Sequence, residues 1–128
     1  MTLESSSTKV SLHINEVFEQ LIQASTYERL LPEEANFQSK DEKQFSFKLS
    51  GMPVIALKIG RETAFNEVVL VADGGNIPFE LTIMLSEVDS QTKIQIKFDG
   101  TLNAMMQMMV KKPLTQLLET LIGNAKKL

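Results

Sequence analysis

An α+β fold is predicted: a curved antiparallel sheet of about seven strands wrapped around one long C-terminal helix, with two short helices after the first strand. Three observations predict it. Leu102–Leu128 places apolar residues at helical spacing. The region 36–100 alternates apolar and polar residues with a period close to two. The breaks between its alternating runs are short, which suits hairpins and an antiparallel meander. One long helix laid on one sheet tends to enclose a cavity.

Residues 2–12 alternate loosely and are rich in Ser, Thr and Val, as befits a first strand at a sheet edge. The period then changes. Ile14, Val17, Phe18 and Leu21 fall at i, i+3, i+4 and i+7, predicting a helix to about Ala24. Its cap is either His13, with Glu16 completing a weak capping box, or Asn15. A second short helix, Tyr27–Leu31, is stopped by Pro32.

In the sheet region, Phe45, Phe47 and Leu49 form one face of a strand, and Gly51-Met52-Pro53 supplies a turn. Ile55, Leu57 and Ile59 begin the next strand, where Gly60 marks a bulge or sharp bend. Asn66-Glu67 turns the chain into Val68–Ala72, and Asp73-Gly74-Gly75-Asn76 is the strongest turn signal. Two well-patterned strands follow, one with Phe79, Leu81, Ile83 and Leu85 inward, the other with Ile94, Ile96 and Phe98 inward. At 100° per residue, the final helix aligns Met106, Val110, Leu114, Leu117, Leu121, Ala125 and Leu128 in one stripe flanked by Met109 and Leu118. Lys111, Lys112, Glu119, Lys126 and Met108 fall on the other side. Pro113 is expected to kink this helix or split it in two.

At 128 residues the chain reads as one domain, residues 1–128, able to bury its own core. Its 43% apolar and 23% charged residues are those of an ordinary globular protein. A net charge of −3 with scattered lysines argues against nucleic acid as a partner. The chain has no cysteine, which removes disulfides, thiolate metal sites and cysteine nucleophiles together. No signal-peptide pattern and no membrane-length apolar run is present, so a soluble cytoplasmic protein without stable membrane insertion is expected. A membrane-surface role would want a more basic polar face than this acidic chain offers overall.

Residues able to carry chemistry are sparse. The single histidine, His13, stands apart in sequence from any paired acid or nucleophile, and neither a metal site nor a cofactor is expected. Glu33-Glu34 and Asp41-Glu42 sit in polar loops and read as solvated charges, so no catalytic residue is assigned. Arg61 would share the inward parity of Ile55, Leu57 and Ile59 if its strand ran straight, and could then pair with a ligand carboxylate. A bulge at Gly60 would turn it outward instead. Met105, Met106, Met108 and Met109 are soft side chains suited either to filling a core or to lining an adaptable surface.

Ile14-Asn15-Glu16-Val17-Phe18 opening the first helix, Tyr27-Glu28-Arg29-Leu30-Leu31-Pro32 closing the second, and the terminal amphipathic helix occur in a familiar order. Over essentially its whole length the chain resembles the helix-grip fold of the START and polyketide-cyclase-like superfamily, SRPBCC, of birch-pollen-allergen type. It is most similar to small bacterial members. The resemblance implies a cavity between sheet and long helix that holds apolar molecules such as lipids or polyketides. It also implies that some members work as cyclases or hydrolases.

Inward parity then assigns Phe47, Leu57, Ile83, Leu85, Ile96 and Phe98 to the cavity walls, together with Met106, Met109 and Leu117 from the helix and Arg61 as the polar candidate. The expected function is non-enzymatic binding of a small apolar ligand. The alternatives are a protein-interaction module with a filled cavity and an exposed methionine patch that supports a homodimer, or a cyclase- or hydrolase-type enzyme. An open pocket of several hundred Å³ favours the first, a closed one the second, and a buried carboxylate in an open pocket the third.

Overall fold

In the computed structural model, which describes residues 1–49, 52–74 and 78–128, eight antiparallel strands form one sheet in which β3–β8 run as a meander. These are β3 (Gln38–Asp41), β4 (Gln44–Lys48), β5 (Val54–Thr63), β6 (Glu67–Ala72), β7 (Phe79–Val88) and β8 (Gln91–Gly100). The chain's first two strands, β1 (Thr2–Glu4) and β2 (Thr8–Val10), both pair with β8 on its outer side. Helices α1 (Ile14–Leu21) and α2 (Tyr27–Leu30) follow β2, and α3 (Ala104–Asn124) closes the chain. Of the turns expected in the sheet, Gly51, Gly75 and Asn76 lie outside the described residues; Gly74 has φ +88°, a conformation that favours glycine.

The expected single first strand is two. Ser5 interrupts it: its N–H donates to Ile96 O at 2.8 Å, and its buried Oγ accepts the Ile96 N–H at 2.9 Å. Ser5 thus meets both backbone groups of Ile96, one of them through its side chain, and three residues, 5–7, face two on β8, which alternation alone cannot anticipate. Ser6 then turns out toward α3, where its N–H donates to Glu119 Oε2 at 2.7 Å and its hydroxyl donates to Oε1.

α1 ends at Leu21 rather than Ala24 because tertiary bonds take over its C-terminus. Lys43 Nζ donates to the Ile22 carbonyl at 2.6 Å, and the Ala24 N–H donates to Glu42 O at 2.8 Å. At its start, His13 occupies the cap position without a side-chain cap bond, so neither expected cap forms. A 3₁₀ turn, Ala24–Thr26, leads into α2. Between β7 and β8, Asp89 (φ 51°) and Ser90 (φ 67°) make a two-residue hairpin of the twist-compatible type.

The pairing of β5 with β6 shifts register between Ile59 and Glu62, beside Gly60. The bulge re-aims the strand end, and Arg61 faces solvent with 61% of its side chain exposed. Its Nε donates to Glu67 Oε1 at 3.3 Å.

α3 is one continuous helix through Pro113, not two. Asn103 caps it by accepting the Met106 N–H at 2.9 Å. Pro113 removes only the bond that its missing N–H would make to the Met109 carbonyl. Burial along α3 is uneven. Leu114, Leu117, Leu118, Leu121 and Ile122 are buried, whereas no residue before Pro113 is. Asn124 Nδ2 donates to the Leu30 carbonyl at 2.9 Å and ties the helix end to α2.

The core between α3 and the sheet is aliphatic, with an aromatic stack at one side. Tyr27 lies parallel to Phe45 at 4.8 Å, and Phe37 and Phe47 flank Phe45 at 5.7 and 6.3 Å. Burial holds the Tyr27 hydroxyl well above its ordinary pKa, and Glu62 adds to the shift. That hydroxyl donates to Leu21 O at 2.6 Å.

Two outcomes follow. Leu117→Ala is expected to cost about 2 to 5 kcal/mol in chemical denaturation, because it empties a packed site, while Met108→Ala, 84% exposed, costs close to nothing. The Ser6 hydroxyl, and secondarily its N–H, hold the Glu119 carboxyl below its usual range. A lowered folded-state pKa stabilises above the unfolded value, and the contribution disappears as pH falls through the folded one. Ser6→Ala should move the Glu119 titration upward by NMR and remove part of that acid-side dependence.

Candidate ligand-binding cleft

Two spaces lie between α3 and the sheet, and they differ in kind. Under the C-terminal half of α3 is an enclosed void of about 20 Å³, bounded by side chains that include Leu21, Tyr27, Leu70, Ile83, Ile96 and Leu121. That is room for about one water molecule in a lining with no free polar group, so the space is dry packing. Beside the N-terminal half is a cleft of about 560 Å³ that opens to solvent.

Each wall of the cleft has a local cause. α3 contributes Met106, Val110 and Leu114, one stripe at i, i+4 and i+8, with Leu102 just before the cap. The start of β5 supplies Val54, Ile55 and Ala56, preceded by Met52 and Pro53. The floor is Phe79 and Phe98, whose rings stack at 5.4 Å and 29°. Gly100, which pairs with Phe79, makes that floor possible: a Cβ there would sit 2.9 Å from Phe98 Cζ and 3.0 Å from Phe79 Cβ. The Phe98 ring and the Phe79 Cβ occupy the space that a side chain would take.

Gly74 completes the lining, and among the described residues every other lining side chain is hydrocarbon, aromatic or thioether. Tyr27 and its committed hydroxyl belong to the enclosed void. Among the described residues no group of three or more His, Cys, Asp or Glu gathers to hold a metal ion.

Of the residues assigned to the cavity from sequence, Phe98 and Met106 line the cleft. Ile83 and Ile96 face the enclosed void. Phe47, Leu57, Leu85 and Leu117 are buried in the continuous core and bound neither space. Two assignments are corrected. Arg61 is turned out by the bulge beside Gly60 and pairs with Glu67. Met109 is 69% exposed, because it stands on the flank of the stripe where α3 has left the sheet. Phe79, Val54, Ile55, Val110 and Leu114 line the cleft without having been assigned to it. Val110 and Leu114 were legible on the helical stripe, and Ile55 and Phe79 in strand parity. Parity gives the face of a strand but not the distance along it at which the helix lifts away.

No family model and no curated protein matches the sequence. Solved structures match its fold over nearly the full length. A conserved protein from Geobacillus kaustophilus superposes with a TM-score of 0.70 at 14% identity, covering 99% of this chain and 93% of that one. A START superfamily protein from Mycobacterium smegmatis gives 0.66 at 12% identity, with 98% and 97% covered. The Aha1 dimer from Colwellia psychrerythraea gives 0.62 at 12% identity, with 93% and 96% covered. At such identities the likeness is one of fold: the chain has the START-like helix-grip architecture.

The uneven anchoring of α3 has a measurable consequence. Amide hydrogen exchange is expected to be faster across Met105–Lys112 than across Leu114–Ile122, with the change in protection near Pro113. Uniform protection along the helix would contradict the division into a held half and a lifted half.

Proposed function

We propose that this protein binds a small, uncharged, predominantly apolar molecule in the cleft beside the N-terminal half of α3, without catalysing a reaction on it. The observation that carries the reading is the cleft itself: about 560 Å³, open to solvent, and lined among the described residues by apolar groups. That volume lies in the range of ordinary small-molecule sites. Burial would drive binding, at about 2.5 kcal/mol for each 100 Å² of apolar ligand surface removed from water, before the costs of immobilisation. A charged ligand group would be left unpaired against this lining, at a cost of several kcal/mol. General acid–base chemistry needs a titratable side chain within hydrogen-bond reach of the reacting atoms, and the described lining offers no polar side chain.

A neutral fluorescent probe, N-phenyl-1-naphthylamine, tests the reading. It should brighten with the wild-type protein and saturate. Val110→Trp, which projects a larger ring into the space, should weaken it by about ten-fold or more. Arg61→Ala, on the outer surface, should leave it unchanged. Circular dichroism and sizing must show each variant folded. A wild type that neither brightens the probe nor retains an apolar molecule in native mass spectrometry would refute the proposal.

A further inference from the structure

The surface around the cleft mouth has a composition of its own. Met105 and Met108 are 72% and 84% exposed, and with Met109 they form an apolar patch on the lifted turns of α3. Exposed methionines in such a group are uncommon on a protein that presents only to water. Lys112 follows Met108 by four residues and Met109 by three, so it stands on the same face of the helix, with Lys111 beside it. Between Asp99 and Glu119 these two lysines are the only charged residues, although the chain as a whole carries −3.

Val54 is exposed and lines the cleft, whereas Lys48, which pairs with it in register, alternates with the inward Phe45 and Phe47 and so stands on the outer face of the sheet. Between Glu42 and Glu62 the chain has no acid. Lys48, Lys111 and Lys112 are exposed and make no ion pair among the described residues. Glu80 and Asp99, which follow the floor aromatics, are exposed on the outer face by strand alternation, and Asp73 precedes Gly74 at the third wall. The acids near the cleft thus lie on the sheet and its loop, and the lifted turns of α3 carry the methionine patch with two lysines and no acid.

We propose that this face of α3 docks on a lipid surface bearing anionic headgroups, with Met105, Met108 and Met109 entering the acyl boundary and Lys111 and Lys112 meeting the headgroups. Charge complementarity selects this occupant over a second copy of the chain. Copies meeting through this face would oppose lysine to lysine across a symmetric contact. Three methionines also fall well short of the roughly 20 residues a side that a stable protein interface uses. The docking is superficial: no helix among the described residues is long and apolar enough to cross a membrane. Neither the apolar patch nor its lysines belong to the cleft lining, so the docking does not require an occupied cleft.

Flotation of the full chain with phosphatidylglycerol–phosphatidylcholine vesicles at low ionic strength tests it. The protein should float with these vesicles, weakly with pure phosphatidylcholine, and less as salt is raised. Lys111→Gln with Lys112→Gln should reduce partitioning about 30-fold, the effect of two charges at about 1 kcal/mol each. Met105→Ser, Met108→Ser and Met109→Ser together should reduce it by about ten-fold or more, while naphthylamine affinity in solution stays at the wild-type value. Absence of flotation, equal flotation with both vesicle types, or insensitivity to both sets of changes overturns the proposal. So does a wild-type dimer, by sizing, that the serine variant converts to monomer, since the patch then belongs to a second copy.

Discussion

The packing of Leu114, Leu117, Leu118, Leu121 and Ile122 into the concave face of the sheet is the interaction on which the rest of the structure depends. It buries five aliphatic side chains from one half of a helix, each worth roughly 1.5 to 3 kcal/mol of transfer free energy. Polar contacts hold that half in place: Asn124 reaches the Leu30 carbonyl, and Glu119 receives both donors of Ser6. The remaining turns of α3 are carried by continuity of the helix and by Asn103 at the cap. With only Met106 and Val110 turned toward the sheet and both half-buried, that segment stands off and the cleft exists.

Most of the architecture was legible because its causes are local. A period of two across the sheet region and the stripe from Met106 to Leu128 each follow from side-chain direction in a strand or helix. The departures have tertiary causes. Ser5 breaks the first strand by bonding across to Ile96, and α1 stops where Lys43 and Glu42 arrive from a hairpin more than a helix away in sequence. Gly60 was readable as a bulge, but the resulting direction of Arg61 was readable only once the partner register with β6 was known.

The site was legible in half. Strand parity identified which residues face the helix, and all of the strand residues assigned to the cavity walls on that basis are buried apart from Arg61. It could not separate Phe98, in the open cleft, from Ile83 and Ile96, around a space of about 20 Å³. That distinction depends on how far along each strand the helix stays in contact. The anchoring of α3 by its second half decides it.

The cleft also bears on why so few apolar side chains in the first half of α3 turn toward the sheet. An apolar void in contact with water leaves its lining without the dispersion partners of a packed core. A longer aliphatic run before Pro113 would recover them by drawing the helix down onto Phe79 and Phe98, and the cleft would close. The observed arrangement keeps the stabilising burial at one end and leaves the floor aromatics accessible at the other. Gly100 points the same way, since a side chain there would displace Phe98 from its stack with Phe79. A molecule seated against those rings would supply the missing contacts to Met106 and Val110, and binding would then stabilise the lifted turns by an amount that grows as the logarithm of ligand concentration over its Kd.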